Sequence, residues 1–298
     1  MIKCVDVTKK FDKVTALEQL TCNIPEGCIY GLVGANGAGK STLLRLITGI
    51  YSPDVGDITI DGMPVVKKDF AKSLFVFVPD ELFFLPGANM KEMARFYSEI
   101  YPTFFYGCYE RLINEFSLNP TVNISTFSKG MKRQAATVLA LSCQTKYMFF
   151  DETFDGLDPL KRSLLKKIIH EDVKERESTV VITSHSLREL EDTCNQLALL
   201  HKGGLIFESE VQNLKTSLFK IQIGLNQWFD QTIFKGIEIM QYKQNGSVAN
   251  MIIKGDKEQA VAKMQELQPQ LLDVLPLSLE EVVVFEMEVL GLDKEVLV

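Results

Sequence analysis

The run Gly34-Ala35-Asn36-Gly37-Ala38-Gly39-Lys40-Ser41 constrains this chain more than any other stretch. It fits G-x-x-x-x-G-K-[ST]. The apolar burst Cys28 to Val33 precedes it, and a helical pattern with Leu43, Leu44 and Ile47, ending near Gly49, follows. A strand, a glycine loop and a helix in that order make a cradle for phosphate. Glycines let backbone N–H groups wrap phosphate oxygens with no Cβ in the way. The helix N-terminus adds positive potential. Lys40 brings a mobile cation, and the Ser41 hydroxyl can hold Mg²⁺. By average residue usage, the four fixed positions arise by chance in on the order of one per hundred chains of this length. The strand and helix around them make chance rarer still, so a nucleotide site is predicted here.

The surrounding pattern is that of an α/β sheet with parallel strands at its centre. Leu20, Cys22 and Ile24 alternate with polar neighbours, as do Ile58 and Ile60, which predicts half-buried strands. Ile29 to Val33, Leu74 to Val78, Tyr147 to Phe150 and Val180 to Thr183 are short apolar runs that suit deeply buried strands. Asp158-Pro159 reads as an N-cap with proline at the first helical position. Ser186 and Glu189 have capping-box spacing. Residues 82–141 lack strand bursts and read as a mostly helical insertion. After Thr216 the character changes again. Phe219 to Ile223 and Ala249 to Ile253 read as strands, and Asp256 with Gln259 can cap a helix. Two domains are expected, 1–216 and a small α+β unit over 217–298, in keeping with 298 residues.

Composition excludes several classes. Lys and Arg total 32 against 39 Asp and Glu, a net charge of −7, and an acidic chain is a poor nucleic-acid binder. No apolar run approaches the length of a membrane span, and the first residues lack a signal-peptide layout. A soluble protein is expected, with any membrane role exerted through a partner. The six cysteines form no C-x-x-C pair and read as reduced core thiols. The three histidines are too dispersed for a metal cluster.

Asp151 and Glu152 end the apolar run Tyr147 to Phe150. Ligands gather at the carboxyl ends of parallel strands, so this pair is well placed beside the phosphate loop. Asp151 can reach Mg²⁺ through its water shell, and Glu152 can orient or deprotonate water. An exposed strand end rich in acid is the plainer reading of the pair alone.

Taken together, the motifs resemble those of the ATP-binding cassette ATPases over about 210 residues. Lys40 and Ser41 belong to the Walker A loop, Asp151 and Glu152 to Walker B. Phe127-Ser128-Lys129-Gly130-Met131 looks like the family signature usually written LSGGQ, and its Ser128 stands 23 residues before Asp151. Asp155-Gly156-Leu157-Asp158 resembles the D-loop. His185, 34 residues after Asp151, resembles the switch histidine. Phe11 stands where the family stacks an aromatic on adenine. Plainer roles stay open beside these: Ser128 as an N-cap, His185 as a strand-end histidine, and Phe11 as cover for a strand edge. Two departures stand out. Asp80 replaces the usual glutamine, and the signature carries Lys129 and Met131 where glycine and glutamine are usual. The SKGM form looks like the cassettes serving bacterial drug and antibiotic exporters.

The resemblance implies a P-loop NTPase cassette with an N-terminal antiparallel β part, a helical insertion and a C-terminal appendix. ATP and Mg²⁺ are the implied ligands. Gly34, Asn36, Gly37, Ala38, Gly39, Lys40, Ser41, Thr42 and Phe11 would bind ATP. Ser41, Asp151 and Asp80 would hold Mg²⁺, partly through water. Lys40, Glu152 and His185 would carry the hydrolysis. Ser128, Lys129, Gly130 and Met131 would face the ATP of a second subunit, identical or not, with Asp158 at the interface. A separate integral membrane permease would receive the work, at the cytoplasmic face of the membrane. Leu82, Phe83, Phe84 and Leu85 would line its docking groove or else pack in the core. Lys161, Arg162, Lys166 and Lys167 read as a solvated helix face. An ATP-dependent dimerising regulatory module with little hydrolysis is the alternative. A cassette ATPase of translation or repair is a third reading, though such proteins carry two cassettes or a long coiled coil. The C-terminal appendix would regulate the dimer or stabilise it.

Overall fold

The computed structural model describes residues 1–65, 72–212, 218–275 and 277–289. It divides into two compact units, Met1–Glu208 and Ser209–Lys294. The boundary expected at Thr216 falls outside the described residues.

The first unit holds two sheets. One has the order β2-β1-β4-β5, with β1 at Ile2–Phe11, β2 at Val14–Ile24, β4 at Val55–Ile60 and β5 at Met63–Pro64. In it β1 pairs antiparallel with β2 and β4, and β4 with β5. In β2, Leu20, Cys22 and Ile24 are buried while Thr21 and Asn23 face solvent, the alternation expected of a strand with one covered face. The other sheet runs β10-β9-β3-β8-β7-β6. Its strands are β3 (Ile29–Val33), β6 (Phe75–Val78), β7 (Tyr147–Phe150), β8 (Thr179–Ser184), β9 (Gln196–His201) and β10 (Gly204–Glu210). Strands β6, β7, β8, β3 and β9 are mutually parallel. Helix α1 (Lys40–Ile47) buries Leu43, Leu44, Leu46 and Ile47 in a cluster that takes side chains from both sheets, including Leu20, Cys22, Tyr30 and Leu32. Each such buried aliphatic side chain contributes about 1.5–3 kcal/mol, so this cluster fixes α1, and with it the loop before it.

Three helices, α2 (Met90–Ile100), α3 (Tyr106–Phe116) and α4 (Lys129–Ser142), occupy most of the stretch read as helical. Asn89 and Glu92 form a reciprocal capping box on α2. Helix α5 (Pro159–Arg176) starts at the expected cap: Asp158 accepts from the amides of Leu160 and Lys161. The capping box expected of Ser186 is corrected by the structure. The Ser186 side chain makes no cap on α6 (Leu187–Leu190). The Ser184 hydroxyl takes its place, accepting from the Ser186 amide at 3.0 Å and donating to Glu189 at 2.6 Å.

In the second unit, β11 (Leu218–Gly224), β12 (Glu238–Asn245), β13 (Val248–Lys254) and β14 (Leu271–Leu275) form an antiparallel sheet in the order β12-β13-β11-β14. Phe219, Ile221 and Ile223 share one core with Met251, Ile253 and the inner residues Ala260 and Met264 of α7 (Lys257–Gln265). The side chain of Asp256 caps α7 at the Gln259 amide. Helix α8 spans Leu279–Val289.

Candidate active site

The parallel register aligns the carboxyl ends of four strands. Val33 pairs with Ser184, Phe150 with Ile182, and Val78 with Phe150. The residues that follow these ends are the phosphate loop, Asp151-Glu152, His185 and the Asp80 segment. Gly39 precedes α1 with φ of 109°, and a Cβ there would lie 2.7 Å from the Ala16 carbonyl oxygen. Only glycine fits both conditions. Asn36 and Gly37 are exposed at the loop crest, Ser41 and Thr42 are half-buried, and Gly34 and Ala38 are buried.

Lys40 lies under this loop, 5% exposed. Its Nζ donates to the Gly34 carbonyl at 2.6 Å and sits 3.2 Å from Glu152 Oε1. The other Glu152 oxygen is 3.0 Å from His185 Nδ1. The three residues expected to act in hydrolysis are therefore joined through one carboxylate. Glu152 also holds a left-handed backbone, with φ of 49°, a strained conformation for a residue bearing a Cβ.

Thr183 sets this arrangement, and it was not singled out from the sequence. It is fully buried. Its Oγ1 donates to Asp151 Oδ1 at 2.6 Å and accepts from the Glu152 amide at 2.9 Å. One hydroxyl thus orients both acids. Asp151 is itself fully buried, and its Oδ2 has no hydrogen-bond partner among the described residues. An orphaned buried carboxylate oxygen is costly and suits a cation or its water shell, so this site fits the Mg²⁺ that the motifs imply. Among the described residues no group of three His, Cys, Asp or Glu could hold a metal alone. Hard cations of this kind commonly share their shell with phosphate and water.

The signature residues lie at the start of α4. Ser128 caps the helix by accepting from the Met131 amide at 3.2 Å. A Cβ on Gly130 would lie 2.7 Å from the Gly156 carbonyl oxygen, so α4 approaches the D-loop as closely as glycine permits. Lys129 donates to Asp155 at 2.8 Å, and that bond holds the Asp155 carboxyl below the usual carboxylate range. No hydrogen bond or ion pair among the described residues joins Ser128–Met131 to the phosphate loop. Asp158 is exposed. Asp80 is engaged by Arg133 of α4. Phe11, at the end of β1, is partly exposed and meets Tyr51 edge-on at 5.2 Å.

Two further readings change. Arg162 is 3.2 Å from Glu189, and Lys161 donates to the Glu115 carbonyl at 3.1 Å, so the basic run on α5 is not simply solvated. Among Leu82 to Leu85 none is buried, and Phe83 is 70% exposed. All six cysteines are free and buried; burial pushes the Cys28 thiol up to about 11. Among the described residues, no helix is long and apolar enough to cross a membrane.

Phosphate loop, buried acid and parallel sheet define the class: a P-loop nucleotide-binding α/β protein. Residues 17–155 match the family model described as ABC transporter. The chain is 30% identical to the ABC transporter ATP-binding protein YtrB of Bacillus subtilis, across 95% of this chain and 96% of that one. It is 31% identical to the lantibiotic transport ATP-binding protein SrtF of Streptococcus pyogenes, across 75% and 97%. Among solved structures, an ATP-binding subunit of an ABC transporter superposes with a TM-score of 0.66 at 26% identity, covering 72% of this chain and 92% of that one. The chain belongs to the family of ABC transporter ATP-binding proteins. By that membership it is an ATP-binding subunit of an ABC transporter.

Proposed function

We propose that this subunit drives export of a drug- or antibiotic-like compound, with the catalytic roles distributed as follows. The loop amides and Lys40 neutralise the terminal phosphates of ATP, and Phe11 stacks on adenine. Glu152 takes a proton from the attacking water, and His185 holds that water against the γ-phosphate. Ser41 and Asp151 would hold Mg²⁺, which when bound neutralises charge on the β- and γ-oxygens. A triphosphate carries more charge than one loop can cover. Ser128 and the α4 N-terminus of a second subunit complete the shell, with Asp158 contacting across the interface. Nucleotide thus joins the halves, and loss of phosphate releases them.

The carrying observation is the Glu152 carboxylate held between Lys40 and His185. That geometry suits a base at the γ-phosphate end of the loop. Steady ATP turnover by the purified chain, lost in Glu152→Gln with ATP binding retained, is the expected result. A chain that dimerises on ATP without turnover would favour the regulatory reading instead. The lantibiotic-transport relative supports the exporter reading. Exposed Phe83 supports docking of the permease beside the Asp80 segment, and the subunit would then sit at the cytoplasmic face of the membrane. The domain over 217–298 would stabilise or regulate the dimer, since its sheet has a core of its own. If its deletion leaves dimerisation, turnover and permease binding unchanged, that role is refuted.

A further inference from the structure

The two departures from the family pattern, Asp80 and Lys129, meet in one set of charges. Lys129 and Arg133 are four residues apart on α4, so both project from one helix face. Arg133 is 1% exposed. Its Nη2 donates to Asp80 Oδ1 at 2.7 Å and its Nη1 to the Asp80 carbonyl at 3.1 Å. The same Nη2 is 4.0 Å from Asp155 Oδ2, the atom that accepts from Lys129 at 2.8 Å. Two cations and two carboxylates form a neutral chain. It fastens the first turns of α4 to the segment after β6 and to the segment after β7.

A guanidinium is a rigid planar fork, and here it grips both a side chain and the main chain of one residue. A buried cation that loses its acid is strongly disfavoured. Arg133 and Asp80 therefore stay together through any small movement of either segment. Asp80 follows β6, whose carboxyl end lines up with those of β7, β8 and β3 beside the phosphate loop, and α4 carries Ser128 and Gly130.

We propose that Arg133 is a positioning residue that joins the Asp80 segment and the signature helix into one moving body, so that Asp80 acts through Arg133 and not as a Mg²⁺ ligand. The proposal rests on the ATPase reading above. In this arrangement a displacement of residue 80 on nucleotide binding becomes a displacement of Ser128 and Gly130. Acid at 80 and arginine at 133 are compensating choices, each harmful without the other.

The test is a double-mutant cycle on the full chain with Asp80→Asn, Arg133→Gln and the pair. Each single substitution lowers kcat on the order of tenfold, and the double variant loses no more than one single does. The Mg²⁺ concentration for half-maximal activity stays at the wild-type value throughout. Independent effects that multiply in the double variant overturn the proposal. So does an Asp80→Asn that shifts the Mg²⁺ requirement while Arg133→Gln is silent. Should Arg133→Gln fail to fold by circular dichroism, Arg133→Lys keeps the charge and loses the fork. It then lowers kcat in the wild-type background and has no further effect on Asp80→Asn; a further loss there counts against the proposal. Hydrogen exchange of the Ser128–Met131 amides with a non-hydrolysable ATP analogue reads the coupling without turnover. The analogue changes that exchange in wild type and leaves it unchanged in Asp80→Asn; an equal response in both sinks the idea. Absence of turnover in wild type would instead refute the ATPase reading, leaving the exchange experiment to judge the linkage.

Discussion

Thr183→Val is close to isosteric, and it removes the one hydroxyl that serves both Walker B acids. The Oγ1 donor at 2.6 Å leaves Asp151 Oδ1 without its neutral partner, beside an Oδ2 that already has none. The acceptor at 2.9 Å leaves the Glu152 amide unpaired. A hydrogen bond to a charged group contributes about 1.5–3 kcal/mol, and an orphaned buried amide costs about 1–3 kcal/mol. The extra methyl returns under ~1 kcal/mol of apolar burial, so a net loss of about 2–5 kcal/mol is expected. For a unit of this size, that shifts the melting temperature down by roughly 4–20 °C. Far-UV circular dichroism is the suitable probe, because the lone tryptophan, Trp228, belongs to the second unit. Turnover at a temperature where the variant is folded should fall on the order of tenfold or more, since Asp151 and the Glu152 backbone lose their common anchor. Thr183→Ser keeps the hydroxyl and should recover most of both effects. A valine variant with wild-type melting and turnover would refute the assignment of Thr183 as the residue that orients the acids.

Gly130→Ala places a methyl 2.7 Å from the Gly156 carbonyl oxygen, so α4 must retreat; the ATP concentration needed for dimerisation, followed by analytical ultracentrifugation, should rise severalfold. Asp155 is held below the ordinary carboxylate value by Lys129; its stabilising effect is present above about pH 3.9 and is lost as pH falls through the depressed native value. In Lys129→Met that native value moves up toward the ordinary one, which an NMR titration of the side-chain carboxyl would detect, and an unchanged midpoint would disprove the linkage. Phe11→Ala should weaken ATP binding by about two- to twelvefold if the ring stacks on adenine, equivalent to about 0.5–1.5 kcal/mol; calorimetric titration measures it, and unchanged affinity would leave Phe11 only its contact with Tyr51.

The central strands were legible because strands buried on both faces need continuous apolar runs, and Ile29–Val33 and Tyr147–Phe150 coincide with such runs residue for residue. Asp158 and Asp256 were readable as caps because a cap is a local contact. Ser186 misled for the same reason: the competing hydroxyl of Ser184 lies outside the capping-box spacing. The edge strand β12 was missed because Glu238–Asn245 is mostly half-buried and its polar residues do not alternate cleanly. In the site, residues bearing a motif were readable from spacing. Thr183 and Arg133 carry no motif. Their partners Asp151 and Asp80 stand 32 and 53 positions away, and no local pattern reports such a pairing. Nothing local marks Arg133 as buried, because its burial depends on that distant segment.

The position of β3 in its sheet has a consequence for biosynthesis. Ile29–Val33 is made early, yet its neighbours β8 and β9 lie about 150 and about 166 residues further along the chain, a high contact order that slows assembly. Until the ribosome has delivered them, this wholly apolar segment has no partner on either edge and is open to misassociation. Truncated translation products ending before Thr179 should therefore aggregate or be degraded, with their phosphate loop never shaped. A nascent cassette gains its ligand-holding geometry late and all at once.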